Sequence, residues 1–183
     1  MKIIVCGAGS VGRSIVGYLT QGNNDIVVID HDAKALDVIA KEYDIQPVFG
    51  EAAHPDILEK AGAENADILI AATDCDEVNM VACEVAAALF NVPKKIARID
   101  AQDYLSPLWG TLFNDKHIPV DLVISPDRAI ARAILSLLKV PGASEAISLL
   151  GSAARLLAFR CDDNPAYPDA AVTSEPGCTG TGY

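Results

Sequence analysis

The 183-residue chain has no run of the roughly 18 uninterrupted apolar residues that a membrane-spanning helix requires. Its longest candidate, VACEVAAALFNV, is broken by Glu84. It does not open as a secretory signal does, because IIVC is far shorter than a signal core and glycines follow at once. The expectation is a cytoplasmic protein. Basic residues are scarce: 14 Lys and Arg stand against 25 Asp and Glu, a formal charge of −11. Phosphate backbones are gripped by clustered cations, so nucleic acid is not expected as a partner. An anionic membrane surface is disfavoured for the same reason. The five cysteines (Cys6, Cys75, Cys83, Cys161 and Cys178) lack C-x-x-C spacing and mostly sit in apolar runs. They read as reduced, largely buried thiols. No metal-ligand cluster, Ser/His/Asp set or Walker lysine is present, so no metal is expected.

What the chain does have is a regular alternation. Short apolar runs at Lys2–Cys6, Asp25–Asp30, Gln46–Phe49, Asp67–Ala72, Lys95–Ile99 and Asp121–Ile124 read as strands. Several are apolar on successive residues, as expected where helices cover both faces of a parallel sheet. Helices fit near 11–21, 32–43, 54–61, 76–91, 102–114 and 126–139. The pattern predicts an α/β fold, a doubly wound parallel six-stranded sheet with a short C-terminal extension. The domain reading is 1–140 for this unit, 141–161 for a connector and the start of a second lobe, and 162–183 for a Pro/Gly/Ser/Thr-rich tail expected to be disordered. In the last helix, Ser125 is placed to cap, Pro126 suits the first helical position and Asp127 complements the dipole. Its stripe of Ile130, Ile134, Leu137 and Leu138 serves either its own sheet or a partner subunit.

The chemistry begins in IIVCGAGSVGRSIV, where Gly7, Gly9 and Gly12 follow a strand and open a helix with G-x-G-x-x-G spacing. In that context Gly7 allows a tight turn, Gly9 a close approach of backbone to a pyrophosphate, and Gly12 close helix–strand packing. Ala8, Ser10 and Val11 complete the loop, and the helix start offers N–H groups to phosphates. The alternative is a glycine turn without a ligand. Asp30 follows Gly12 by 18 positions, close to the spacing at which a carboxylate takes ribose hydroxyls and repels a 2′-phosphate. Helix capping is the other use of Asp30, although Asp32 could do that instead. His31 beside it is counted with the ligand-facing residues, as is Glu51, which follows Gly50 on the adenine side.

Thr73 and Asp74 end the fourth strand, which flanks the first at the point where strand order reverses. They are candidates for the crevice, against plain capping of the next helix; Asp76, Glu77 and Asn79 read as the start of that helix. Arg98 lies among apolar residues in a predicted strand and needs an anion, either a ligand phosphate or an ion-pair partner. Arg13 reads as pointing to solvent. A dehydrogenase would also need a means of presenting substrate and an acid–base His or Lys. The histidines His31, His54 and His117 all fall within the nucleotide unit, so the chain reads as binding a nucleotide without converting it, and not as an enzyme.

The stretches MKIIVCGAGSVGRSIVGYL, VVIDHD, VFGEAAHPDILEKAGAENADILIAATDCDEVNMVAC, KKIARI and DLVISPDRAIARAIL together resemble the amino-terminal half of the TrkA family, within the KTN/RCK group. The resemblance covers about residues 1–140 and implies a Rossmann-like domain. It further implies a cytoplasmic regulatory subunit of Trk-type potassium uptake, at the inner face of the cell membrane. Such a subunit binds NAD or NADH, or alternatively ATP/ADP. It assembles as a homodimer or higher ring and meets the membrane only through a potassium-translocating partner subunit. The cofactor-binding set is then Gly7, Ala8, Gly9, Ser10, Val11, Gly12, Asp30, His31, Glu51, Thr73, Asp74 and Arg98. The other function classes are the cofactor half of a small NAD-dependent oxidoreductase and an NAD-binding redox sensor with another partner. Proteins of this family carry a second such domain, so the chain reads as a fragment, a truncated product or a single-domain relative.

Overall fold

A computed structural model describes residues 1–114, 116–138, 143–149 and 154–159. The order of elements is β1 (Lys2–Cys6), α1 (Ser10–Leu19), β2 (Asp25–Asp30), α2 (Ala33–Glu42), β3 (Gln46–Phe49), α3 (Pro55–Lys60), β4 (Ile68–Ala71), α4 (Asp76–Phe90), β5 (Lys94–Arg98), β6 (Leu122–Ile124), α5 (Pro126–Leu138), β7 (Ala143–Leu149) and β8 (Ala154–Phe159). The first six strands form one parallel sheet in the order β3-β2-β1-β4-β5-β6. The expected doubly wound sheet is therefore present, with β1 and β4 side by side where the order reverses.

The successive apolar residues of β1 and β2 are explained by cover on both faces. Ile3, Val5, Ile26 and Val28 pack with Val16 of α1 and with Leu36 and Ile39 of α2. Ile4, Cys6, Val27 and Ile29 pack on the other face with Leu58 of α3 and with Ala82, Cys83 and Ala86 of α4. Ile3, Ile4, Ile26 and Ile29 are all among the fully buried side chains, each contributing about 1.5–3 kcal/mol through burial. Asn91 ends α4 in the left-handed region at φ 54°, donating its N–H to Ala87 O. Such a residue stops the helix and turns the chain into β5.

Two local expectations fail. Residues 102–114 do not form a helix; turns and a single 3-10 turn at Pro107–Trp109 take its place. The cause is Pro107, which drives Ser106 to extended backbone (ψ 137°) and removes an N–H that a helix would use. Ser125, placed to cap α5, instead has a buried hydroxyl without a hydrogen-bond partner among the described residues.

At its N-terminal end β5 is fixed by a buried lysine. Lys95 Nζ lies 3.2 Å from Asp121 Oδ2 and donates to Val92 O at 3.3 Å, while Lys95 N donates to the same Asp121 carboxylate at 2.6 Å. A buried ammonium is tolerable when its donors are satisfied in this way.

The chain divides into two units after Arg128. Beyond that point β7 and β8 form an antiparallel pair, with Ile147 opposite Leu156. The side chains of Leu137 and Leu138, and residues Cys161, Cys178 and 162–183, lie outside the described residues. No helix among those described is long and apolar enough to cross a membrane.

Candidate functional site

The register of the parallel sheet brings distant residues to one edge. Cys6 pairs with Ile29 on one side and with Ala71 on the other, and Ala71 pairs with Ala97. One step further along each strand, Asp30, Gly7, Ala72 and Arg98 fall into a row at the C-terminal ends. From Gly7 to Arg98 is two strand spacings, about 10 Å. Side chains alternate between faces, so Asp30 and Arg98 share the face on which Val28, Ile70 and Ala72 pack against α1 and α2. Open α/β sheets hold ligands at this edge.

The glycine loop separates the glycines that packing requires from the one it does not. Gly7 has φ +105°, a region unsuited to residues with a side chain, and its N–H donates to Ile29 O at 2.8 Å. A Cβ on Gly7 would stand 2.7 Å from Ala72 O, so the loop is pressed against the exit of β4. A Cβ on Gly12 would fall 1.8 Å from Gly7 O, so the loop and α1 fit only without one. Gly9 differs: nothing lies within 4 Å of a Cβ built there. Gly9 is also the N-cap of α1, and no side chain caps that helix. The N–H groups of the first turn thus have no capping side chain, with the positive end of the helix dipole behind them.

Asp30 is partly buried, with its side chain 13% exposed. Its Oδ2 accepts from Ala8 N at 2.5 Å, and its Oδ1 accepts from Asp32 N at 2.8 Å. The carboxylate therefore straps the glycine loop to the end of β2 and keeps lone pairs for further donors. Capping of α2 falls to Asp32, which accepts from Lys34 N at 2.8 Å. His31 is exposed, its Nδ1 3.8 Å from Asp30 Oδ1. Gly50 N donates to Asp30 O at 2.9 Å, which places the exposed Glu51 beyond the end of β3, next to the Asp30 edge.

At the exit of β4 the polar groups are organised by a residue that reads from sequence as part of a helix start. Asn79 is fully buried. Its Oδ1 accepts from Thr73 N at 2.9 Å and from Thr73 Oγ1 at 2.7 Å. Its Nδ2 donates to Thr73 O at 3.2 Å and to Arg98 O at 2.9 Å. All four hydrogen-bonding positions of the amide are filled. Thr73 Oγ1 also accepts from Cys75 N at 3.3 Å, so the hydroxyl is held within this loop, whereas Asp74 is exposed at its tip. Asp76 makes a second link between the β4 and β5 exits, accepting from Asp100 N at 3.0 Å and from Ala101 N at 2.8 Å. Glu77 accepts from Tyr104 OH at 3.0 Å. Hydrogen bonds from its own backbone, the Cys75 thiol and that phenol hold its carboxyl below the usual carboxylate range.

Arg98 meets a carboxylate from its own chain. Its Nη2 lies 2.5 Å from Asp100 Oδ2, with the two side chains 22% and 29% exposed. Arg13, expected to point to solvent, pairs with Glu42 on the surface. Of the cysteines, Cys6 and Cys83 are buried and Cys75 is partly exposed at the N-cap of α4. No group of three potential metal ligands occurs among the described residues. His117 lines a shallow cavity of about 440 Å³ with Tyr104, Trp109 and Leu112, which shares no residue with the crevice.

Comparison with known proteins places these features in a family. Residues 3–126 match the TrkA-N domain family. The chain is 40% identical over 173 residues to the Trk system potassium uptake protein TrkA of Azorhizobium caulinodans, aligning with 94% of this chain and 38% of that protein. It thus spans well under half the length of that relative. Among solved structures, the TrkA-N domain of the inner membrane protein YbaL from Escherichia coli superposes with a TM-score of 0.65 at 25% identity, covering 75% of this chain and 96% of that one. The GsuK channel bound to NAD shares the fold, with a TM-score of 0.62 at 17% identity over 81% of this chain and 25% of that one.

Proposed function

The chain belongs to the TrkA-N domain family, and on that premise we propose that it is the nucleotide-sensing domain of a cytoplasmic regulatory subunit of Trk-type potassium uptake. The observation that carries this reading is the open space at Gly9, bounded by an uncapped helix start while Gly7 and Gly12 are closely packed. A pyrophosphate is the group that such a cradle fits, since backbone N–H groups and the helix dipole serve an anion without a basic cluster. The loop Gly7, Ala8, Gly9, Ser10, Val11 and Gly12 would hold the phosphates. Asp30 would accept the ribose hydroxyls with the lone pairs left after Ala8 and Asp32. Thr73 and Asp74 border the nucleoside, His31 and Glu51 the adenosine side, and Arg98 stands at the phosphate end. NAD or NADH is the ligand of this reading, with ATP/ADP the alternative; the NAD-bound channel of like fold supports it.

Regulation follows from linkage. A nucleotide biases assembly only by binding two subunit arrangements with different affinity. The exposed Ile130 and Ile134 on α5 support a homodimer or higher ring, and the membrane potassium-translocating subunit is the partner at the inner face of the membrane. Calorimetric titration with NAD, NADH, ATP and ADP in parallel tests the ligand. The expected result is saturable binding of an adenine nucleotide, weakened by substitution at Gly9. Co-purification with a membrane potassium transporter tests the partner, and substrate-dependent NADH turnover would instead favour an oxidoreductase.

A further inference from the structure

Two buried polar atoms at the exit of β5 have no hydrogen-bond partner among the described residues, Arg98 Nε and Asp100 Oδ1. They belong to residues that already hold each other through Arg98 Nη2 and Asp100 Oδ2. A guanidinium and a carboxylate make their strongest contact through two parallel hydrogen bonds. Here the grip is by one atom of each, and the second atom of each is idle. The surroundings are acidic: the Asp76 carboxylate accepts from the backbone of Asp100 and Ala101, and Asp74 is exposed at the neighbouring strand exit. The phosphate end of the crevice therefore holds a guanidinium whose charge is already matched, with further carboxylates beside it.

We propose that Asp100 is a specificity-determining residue, which by holding Arg98 makes the crevice favour a dinucleotide over a nucleoside triphosphate. The inference rests on the nucleotide reading above. A dinucleotide presents a bridging pyrophosphate with one charge on each phosphate and no terminal group, and the N–H donors at the start of α1 serve it without a free guanidinium. A triphosphate adds a terminal phosphate of higher charge that needs a cation. Arg98 is the arginine at the strand ends, and to serve that phosphate it must release Asp100. The released carboxylate, with one oxygen already lacking a donor, would then face a second anion in a partly desolvated site. Like charges so placed repel strongly, and a repulsive element of this kind discriminates between ligands as effectively as an attractive one.

Calorimetric titration of the chain with NADH and with ATP, in the wild type, D100N and the double variant R98Q/D100N, tests this. The wild type should bind NADH more tightly than ATP. D100N should tighten ATP by roughly tenfold or more while moving NADH by less than about threefold, and R98Q should remove that gain. D100S provides the same test if D100N fails to fold. Equal shifts for both ligands, no tightening of ATP, or a wild type that prefers ATP would overturn the proposal and leave the nucleotide reading standing. A wild type that binds neither nucleotide overturns both.

Discussion

Asn79 Nδ2 donates to Arg98 O at 2.9 Å, a bond that helps to tie the exit of β4 to the exit of β5. Because the same amide also satisfies the N–H, hydroxyl and carbonyl of Thr73, removing it leaves several buried backbone groups unpaired. Asn79→Ala should cost about 2–4 kcal/mol, seen as a fall of roughly 5–15 °C in the thermal midpoint. Asn79→Asp should also destabilise, because an oxygen replaces the NH₂ that faces two carbonyls. A midpoint unchanged in both variants would show that the amide does not hold the two exits together.

The glycines separate packing from binding. Gly12→Ala places a Cβ within 1.8 Å of Gly7 O, so it should lower stability by about 1–3 kcal/mol through forced displacement. Gly9→Ala meets nothing within 4 Å and should leave the melting curve in place. In the nucleotide-binding reading it should weaken NADH by about tenfold or more, because the new methyl occupies the approach to the phosphates. Differential scanning calorimetry and titration calorimetry on the same preparations distinguish the two effects.

Asp30 does two jobs in this reading, strapping Ala8 and receiving ribose. Asp30→Ala should weaken NADH roughly tenfold to a hundredfold. It should also narrow the preference for NADH over NADPH, since the carboxylate that repels a 2′-phosphate is gone. A loss of affinity with the NADH-to-NADPH ratio intact would assign Asp30 to the loop alone.

The buried thiols give a pH dependence of definite sign. Burial is the main cause that pushes the Cys83 thiol up from an ordinary 9.0 to about 12, and Cys6 is raised further, also mainly by burial. A raised folded-state pKa contributes stability that is complete below the ordinary value and is lost as pH rises towards the folded one. Unfolding free energy should therefore decline between about pH 9 and 12, and Cys83→Ala, though less stable near neutral pH, should decline less steeply, so that the gap to the wild type narrows as pH rises. At about pH 8 iodoacetamide should label Cys75 and spare Cys6 and Cys83 until the protein unfolds, as peptide mass mapping would show.

The sheet and the glycine loop were legible because their signals are local. The strand bounds of β1, β2 and β3 follow from short apolar runs, and the spacing of Gly7, Gly9 and Gly12 carries its own geometry. The helix expected at 102–114 fails where Pro107 overrides an otherwise suitable pattern. Asn79 and Asp76 read as helix-start residues because their partners, Arg98 O and the N–H groups of Asp100 and Ala101, lie 19 to 25 residues further along the chain. A buried asparagine between Val78 and Met80 was the available signal, since an amide on an apolar face must find partners. Arg98 reads from the sequence as needing an anion, but nothing in the sequence chooses between a ligand and the carboxylate two residues away.

Strand β5 is held at both ends, by Lys95 with Asp121 at its entrance and by Asn79 with Arg98 at its exit. A one-residue slip along its axis would break both anchors and exchange the faces of Ile96 and Ala97. The strand cannot act as a piston. Any signal that begins at Arg98 must therefore leave sideways, through side-chain exchange and the loops that join the strand ends, while the sheet beneath keeps its register.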